Sequence, residues 1–279
     1  MIASKRQRPD AMNRLLENPV KNKLRLVISA SFVLVLLSPA SYPQPKSKKG
    51  AVDADAMRIL RSMSDLLGGL KQFSYRVVNM REDLTRTGHR VDFEAATQVT
   101  VARPNKIKAV RQGHLVEQEL YYDGKSIIIF SPATNIYSSV PAPDSIDATL
   151  RFARETLGIG YPAADLMYSD TFPLLTKNVI SASVIGKEMI SGHRCDHLLF
   201  ILPGVDFQIW IADRGDPLPF KYIVTDTGTR QLLSIVATLN SWNLEHLTEE
   251  GDFSFVPPKG SREIPLRTVN GKSIGGKSP

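Results

Sequence analysis

Hydrophobic positions first recur with a helical period. Between Asp53 and Leu70 the apolar residues Ala56, Ile59, Leu60, Met63, Leu66, Leu67 and Leu70 fall every three or four positions, and Arg58, Arg61 and Asp65 stand off that stripe. The spacing predicts an amphipathic helix with one face for a core. Asp53 can cap it by offering a side-chain oxygen to the free amides of the first turn, and Gly68-Gly69 ends it. From Phe73 the period drops to two: Phe73, Tyr75 and Val77 alternate with Ser74, Arg76 and Val78, the mark of a strand. Further strands are predicted over 91–103, 106–111, 115–122, 125–130 and 135–140, with turns at Thr87-Gly88, Pro104-Asn105, Gly113 and Asp123-Gly124. Asp123-Gly124 is the strongest hairpin signal, because both residues tolerate the positive φ of a type I′ turn. The run 125–130 is continuously apolar and therefore predicts a central strand.

Pro141 to Asp147 breaks this pattern. Ser145 or Asp147 can cap a helix that runs to Leu157, where Gly158 and Gly160 stop it. Pro162 suits the first turn of a second short helix over 163–168, and a third is predicted around Phe172 to Leu175. Strands resume over 179–190. The stretch 192–223 then reads HRCDHLLFIL, a Pro203-Gly204 turn, VDFQIWIAD, a loop at 214–216 and PLPFKYIV, which predicts three strands. A long strand over 231–242 follows, then a short one in which Phe253 and Phe255 alternate. About ten or eleven antiparallel strands joined by short turns favour a meander over βαβ units. A sheet of that size curls. The predicted fold class is mainly β with α (α+β): a curved antiparallel sheet forming an unclosed β-barrel, with helices in its concavity.

Charge changes the picture less than its total suggests. The chain has a formal net charge of +7, which would raise a nucleic-acid reading, but residues 1–50 carry ten Lys/Arg and two acids, while the rest carries 25 bases and 26 acids. The body is near neutral, and a nucleic-acid partner is not expected. Seven of these basic residues belong to a leader: Lys21, Lys23 and Arg25 precede the apolar run Leu26 to Leu37, and Ser38 and Ala40 are small residues at a cleavage site. That is the layout of a secretory signal peptide, read as residues 1–40, with Met12 as an alternative start. Residues 41–52 are Pro/Ser/Lys-rich and read as a linker. Residues 53–266 make the domain, and 267–279, rich in Gly, Lys and Ser, read as a disordered tail. The single cysteine, Cys195, excludes an internal disulfide, so an exported protein of this kind depends on its core.

Several segments together carry a resemblance. YYDGK (Tyr121 to Lys125), YPAADL (Tyr161 to Leu166), GHRCDHLLF (Gly192 to Phe200), DFQIWI (Asp206 to Ile211), PLPFK (Pro217 to Lys221), Trp242 and FSFVPP (Phe253 to Pro258) occur in that order. The chain resembles an uncharacterised family of predicted periplasmic bacterial proteins, domain of unknown function 2092, over roughly residues 53 to 266. The family's fold is related to the bacterial lipoprotein carrier and receptor (LolA/LolB-like) superfamily. The resemblance implies an unclosed barrel with a helical lid over an apolar cavity. The family pattern commonly has Trp where Phe207 stands and Arg where Phe220 stands.

Candidate chemistry is sparse. His193, Cys195 and His197 share one strand face and are metal-type ligands, but along a strand the three span about 13 Å end to end, so no metal is expected. Cys195 as a nucleophile lacks an oxyanion-hole signature, and Glu117/Glu119 read as a solvated face. No P-loop, dinucleotide fingerprint, HExxH or GxSxG occurs, so neither a catalytic residue nor a cofactor is assigned and an enzyme is not expected. The expected cavity wall is Ile127, Ile129, Leu199, Ile201, Phe207, Ile209 and Ile211. Leu150, Phe152, Leu157 and Leu166 are the expected lid. Asp206, Gln208, Trp210 and Lys221 are a polar rim, or else an outer polar face with Lys221 reaching Asp206. Three functions follow. The first is a binding protein with a lipid or acylated ligand. The second is an envelope structural protein with a self-filled barrel and a protein partner. The third and weakest is a metal or enzyme site at Cys195 and His197. Nothing in the sequence sets the oligomeric state.

Overall fold

The computed structural model describes residues 50–114, 116–160, 163–245 and 250–276. The expected leader and cleavage site, and Pro162, lie outside these residues. No helix among the described residues is long and apolar enough to cross a membrane.

Helix α1, Ala54–Gly69, begins as its stripe predicts: the Asp53 carboxylate accepts from the Asp55 amide at 2.8 Å. The main strands form two antiparallel meanders. The first comprises β1 (Gln72–Leu84), β2 (Arg90–Ala102), β3 (Lys106–Gly113), β4 (Val116–Tyr122), β5 (Ser126–Ser131) and β6 (Ile136–Pro141). The second comprises β7 (Ser181–Ile190), β8 (His193–Leu202), β9 (Val205–Ala212), β10 (Pro219–Asp226) and β11 (Ser234–Asn243). Pairing of β1 with β11 joins the two meanders, and a short parallel strand β12, Arg262–Glu263, extends the β6 edge. The sheet therefore runs from β12 to β7 without closing on itself. Glu82 of β1 pins the seam: its carboxylate accepts from the Ser234 amide at 2.8 Å and hydroxyl at 2.9 Å on β11, and from Arg90 of β2 at 3.0 Å.

The link from β6 to β7 crosses the concave face. It carries α2 (Ile146–Glu155), a 3-10 turn over Ala164–Met167 and α3 (Thr171–Thr176). Ser145 caps α2 through the Ala148 amide. The second predicted helix is thus the 3-10 turn. Inward positions of both meanders, one face of α1 and parts of this link make one core. Arg103 ties the layers together: its guanidinium donates to the carbonyls of Leu67, at the end of α1, and Tyr168 at 3.3 and 3.0 Å.

Four expectations need correction. The Asp123-Gly124 hairpin is real, but only Gly124 has positive φ (+91°). Asp123 instead accepts from the Lys125 and Ser126 amides, both at 2.9 Å, and closes a three-residue connection. Gly124 is required twice over, since a Cβ there would press on the Asn105 side chain. Strand β5 lies one strand from the β6 edge, not at the sheet's centre. It is apolar throughout because both its faces are covered: Ile127 points into the core, and Phe130 lies beneath Phe255, ring centroids 5.3 Å apart. Phe255 also meets Tyr121 and Tyr137 at 5.5 and 5.3 Å, so the Phe253–Phe255 segment is an outer clasp, with no strand of its own.

The fourth correction concerns the stretch 267–279, expected to be disordered, of which residues 267–276 are described. Leu266–Arg267 (β13) pairs with Ser273–Ile274 (β14), and Leu266 and Ile274 pack on the main core. The glycines here are turn residues: Gly271, Gly275 and Gly276 all have positive φ, and a Cβ on Gly275 would run into the Ser139 carbonyl. The Val269 amide donates to the Thr156 carbonyl at 2.9 Å, so this hairpin reaches the end of α2.

Candidate ligand cavity

The two halves of the concave face are filled differently. Helix α1 lies against β7 and β9, and Leu60, Met63 and Leu67 are fully buried there. Beneath it the strands present large side chains: Phe200 and Phe207 stack with centroids 4.6 Å apart, and Tyr222 meets Phe207 edge-on at 5.8 Å. Over the first meander the covering element is α2, and the inward residues are smaller. A cavity of about 150 Å³ remains between α2 and strands β1 to β5.

Its floor is apolar: Val77, Val99, Ile107, Ala109, Leu120 and Ile127. Tyr75 and Tyr122 stand on the same wall, with their hydroxyls spent on the carbonyls of Ala163 (3.4 Å) and Pro143 (2.6 Å). Leu150 and Ala153 of α2, Ile159, Ala164 and Met167 close the other side. Charge appears only at the mouth. Arg154, in the last turn of α2, faces Asp165 of the 3-10 turn at 3.6 Å, their side chains 47% and 33% exposed. Burial raises the Asp165 carboxyl above its ordinary range, against the pull of Arg154. Burial, with the Asp165 charge adding to it, raises the Tyr75 hydroxyl in turn.

Of the wall residues expected from sequence, Ile127 lines this cavity and Ile129 packs against the core beside it. Phe207, Ile209 and Ile211 face inward but are buried in the packed half under α1, at 3%, 0% and 0% exposure. Leu199 and Ile201 are on the opposite face. They stand across from Gln208 and Asp206, whereas their neighbours Leu198 and Phe200 stand across from Ile209 and Phe207 and enter the core. Among the expected lid residues Leu150 lines the cavity, Leu157 and Leu166 are buried in the core, and Phe152 packs against it. The small inward residues Thr97, Val99 and Ala109 were not singled out from sequence. Their size was the available signal.

Asp206, Gln208, Trp210 and Lys221 are no rim of this cavity. Alternation along β9 puts the first three on the face opposite Phe207 and Ile209, and Lys221 pairs across from Trp210. There a second, small cluster forms from Cys195, Trp210 and Phe220. Lys221 lies over the Trp210 ring at 4.7 Å rather than on Asp206, and the His197 ring stacks on Trp210 with centroids 4.0 Å apart. The His197 ring nitrogens are taken by Glu188 of β7 (2.8 Å) and Gln208 of β9 (2.9 Å). His193 stacks on Phe220 at 3.9 Å. The three metal-type residues thus have separate partners. Cys195 is fully buried and its thiol is pushed up to about 11, by burial first and then by Asp213 and Asp196, the reverse of what a thiolate nucleophile needs. Asp213 itself is bound by Lys187 at 2.9 Å and Arg194 at 3.2 Å, and Glu119 is occupied by the Tyr121 hydroxyl at 2.6 Å.

The site is thus an apolar cavity between an open, curved antiparallel sheet and its helical cover. The chain belongs to the family described as predicted periplasmic protein (DUF2092), whose pattern it matches over residues 56–267. No curated protein sequence matches it. Among solved structures it is similar to an uncharacterized conserved protein from Thermus thermophilus, at 12% identity and a TM-score of 0.45, over 75% of this chain and 98% of that one. It is also similar to the Mycobacterium tuberculosis lipoprotein LppX, at 17% identity and a TM-score of 0.39, over 71% and 100% of the two chains. A LolA superfamily protein from Nitrosomonas europaea aligns at 14% identity and a TM-score of 0.37, over 72% and 97%.

Proposed function

We propose that the protein is an exported, non-enzymatic binding protein that holds the apolar part of a lipid-like ligand between the first meander and α2. The observation that carries this reading is the contrast inside one core: aromatic side chains pack the half under α1, while an apolar space of about 150 Å³ is left under α2. Apolar cavities of about 150 Å³ stay dry and admit a benzene-sized guest. Pockets for drug-sized ligands run to about 300–1,000 Å³, so this one suits a short stretch of a single hydrocarbon chain, about the size of benzene, and not a bulky headgroup. The periplasm as its compartment agrees with the family description and with the leader over residues 1–40.

Native mass spectrometry of protein purified gently from a bacterial periplasm, followed by solvent extraction, tests the reading. The expected result is a reproducible lipid-type adduct that disappears in Ala109→Phe, whose ring occupies the cavity. A bare mass under conditions that preserve such adducts would instead favour an envelope structural protein with a self-filled barrel, and an adduct that survives in Ala109→Phe would put the ligand outside this cavity.

A further inference from the structure

The cavity mouth adds a headgroup to this hydrocarbon site. Resting on the binding reading above, we propose that the ligand is a single-chain amphiphile with an anionic headgroup, and that Arg154 exchanges Asp165 for that headgroup on binding. Three observations support this.

First, polarity is sorted along the cavity. The floor of β1 to β5 is hydrocarbon but for the Thr97 hydroxyl, and the hydroxyls of Tyr75, Tyr122 and Thr149 are already bonded to backbone carbonyls. The charged lining residues are Arg154 and Asp165, both at the mouth. A chain entering tail first therefore leaves its head beside them. Second, the pair is loose. At 3.6 Å it is outside the range of a charge-assisted hydrogen bond, about 2.7–2.9 Å. The guanidinium is half exposed and has donors to spare for a planar oxyanion. Third, the Asp165 carboxylate is poorly housed. Arg154 is its cation, and the tyrosine rings of Tyr75, Tyr168 and Tyr222 stand near enough to sense its charge. Burial already favours its neutral form, so releasing Arg154 to a ligand sacrifices a weak contact. In this view Asp165 is a placeholder that keeps Arg154 aimed across the opening.

The test compares six-carbon probes that share a tail: hexanoate, hexyl phosphate and hexanol, titrated into the mature protein. A charge-assisted pair at a half-exposed mouth should favour an anion over the alcohol by about tenfold. Arg154→Gln should collapse that ratio toward one. Asp165→Asn should raise anion affinity severalfold by removing the competitor. Arg58→Gln, on α1 and remote from the cavity, should leave the ratio unchanged. Preference for hexanoate alone would mark a carboxylate head, and preference for both anions would mark a headgroup of either kind. Equal binding of all three probes by the wild type, or an anion preference that survives Arg154→Gln, would overturn the headgroup proposal while leaving the cavity reading intact. No binding of any probe would overturn the cavity reading as well.

Discussion

The two meanders use the same curved sheet in opposite ways. In β7 to β11 the inward residues include Phe200, Phe207 and Tyr222, and α1 covers this half, so its concave face is closely packed. In β1 to β5 the inward residues include Thr97, Val99 and Ala109, and α2 covers them with Thr149 and Ala153. Helix α1 presents a full stripe of Leu and Met, whereas the buried residues of α2 are Ile146, Thr149 and Ala153. One cover completes a core and the other leaves a space. The difference lies in side-chain volume, since strand pairing is antiparallel throughout both meanders.

The largest effect should come from hollowing the solid half. Phe207→Ala removes one ring of a stacked buried pair and should lower unfolding stability by about 3–5 kcal/mol, measured by denaturant titration. Leu120→Ala, on a wall already missing neighbours, should fall near about 2 kcal/mol. Equal losses would mean that the two halves are packed alike.

Filling should separate the halves in the other direction. Ala182→Leu, opposite Phe200 in the solid half, should cost about 1–3 kcal/mol through overpacking. Ala109→Leu should be neutral or stabilise by about 0.5–1 kcal/mol as it fills the cavity, and should weaken binding of an apolar probe. Thermal melts with and without probe distinguish these outcomes.

The seam between the halves has its own signature in acid. The Ser234 amide first, then its hydroxyl, hold the Glu82 carboxyl below its ordinary range, with Arg90 adding to the effect. A carboxylate with a lowered folded-state pKa contributes stability above its unfolded value, about 4.3. That contribution is lost as pH falls through the lowered value. Glu82→Gln should therefore lose about 1 kcal/mol at neutral pH and show a shallower acid limb than the wild type.

The smallest effect concerns the outer face of the solid half. With its thiol raised to about 11 and no exposure, Cys195 should resist alkylation in the folded protein and react promptly in denaturant. Cys195→Ala should leave probe binding unaltered. Fast labelling of the folded protein would contradict the packing described for Trp210 and Phe220.

Much of this architecture is legible in the chain because it rests on local signals. The α1 stripe, the Asp53 cap and the strand turns are fixed by residues within a few positions of each other. The alternation of β9 correctly separates Phe207, Ile209 and Ile211 from Asp206, Gln208 and Trp210. Strand β8 is harder: Leu198 to Leu202 is an unbroken apolar run, so its faces must be carried forward from Cys195 and His197. Doing so puts Leu199 and Ile201 outside. The location of the cavity is not a local property at all. It depends on which helix covers which strands, and on the combined size of Val99, Ala109, Leu120 and Ala153, which come together only in the folded protein. The role of the C-terminal residues is hidden for a similar reason. Gly271, Gly275 and Gly276 look like linker glycines until their turns and the Ser139 carbonyl are in place.

The most direct measurement is a crystal of the protein pressurised with xenon, which enters dry apolar cavities and scatters strongly enough to be located. The account predicts a xenon peak among Val99, Ala109, Leu120, Ile127 and Ala153, and none under α1. A peak between Phe200, Phe207 and Leu60 instead, or none in the β1 to β5 half, would contradict it.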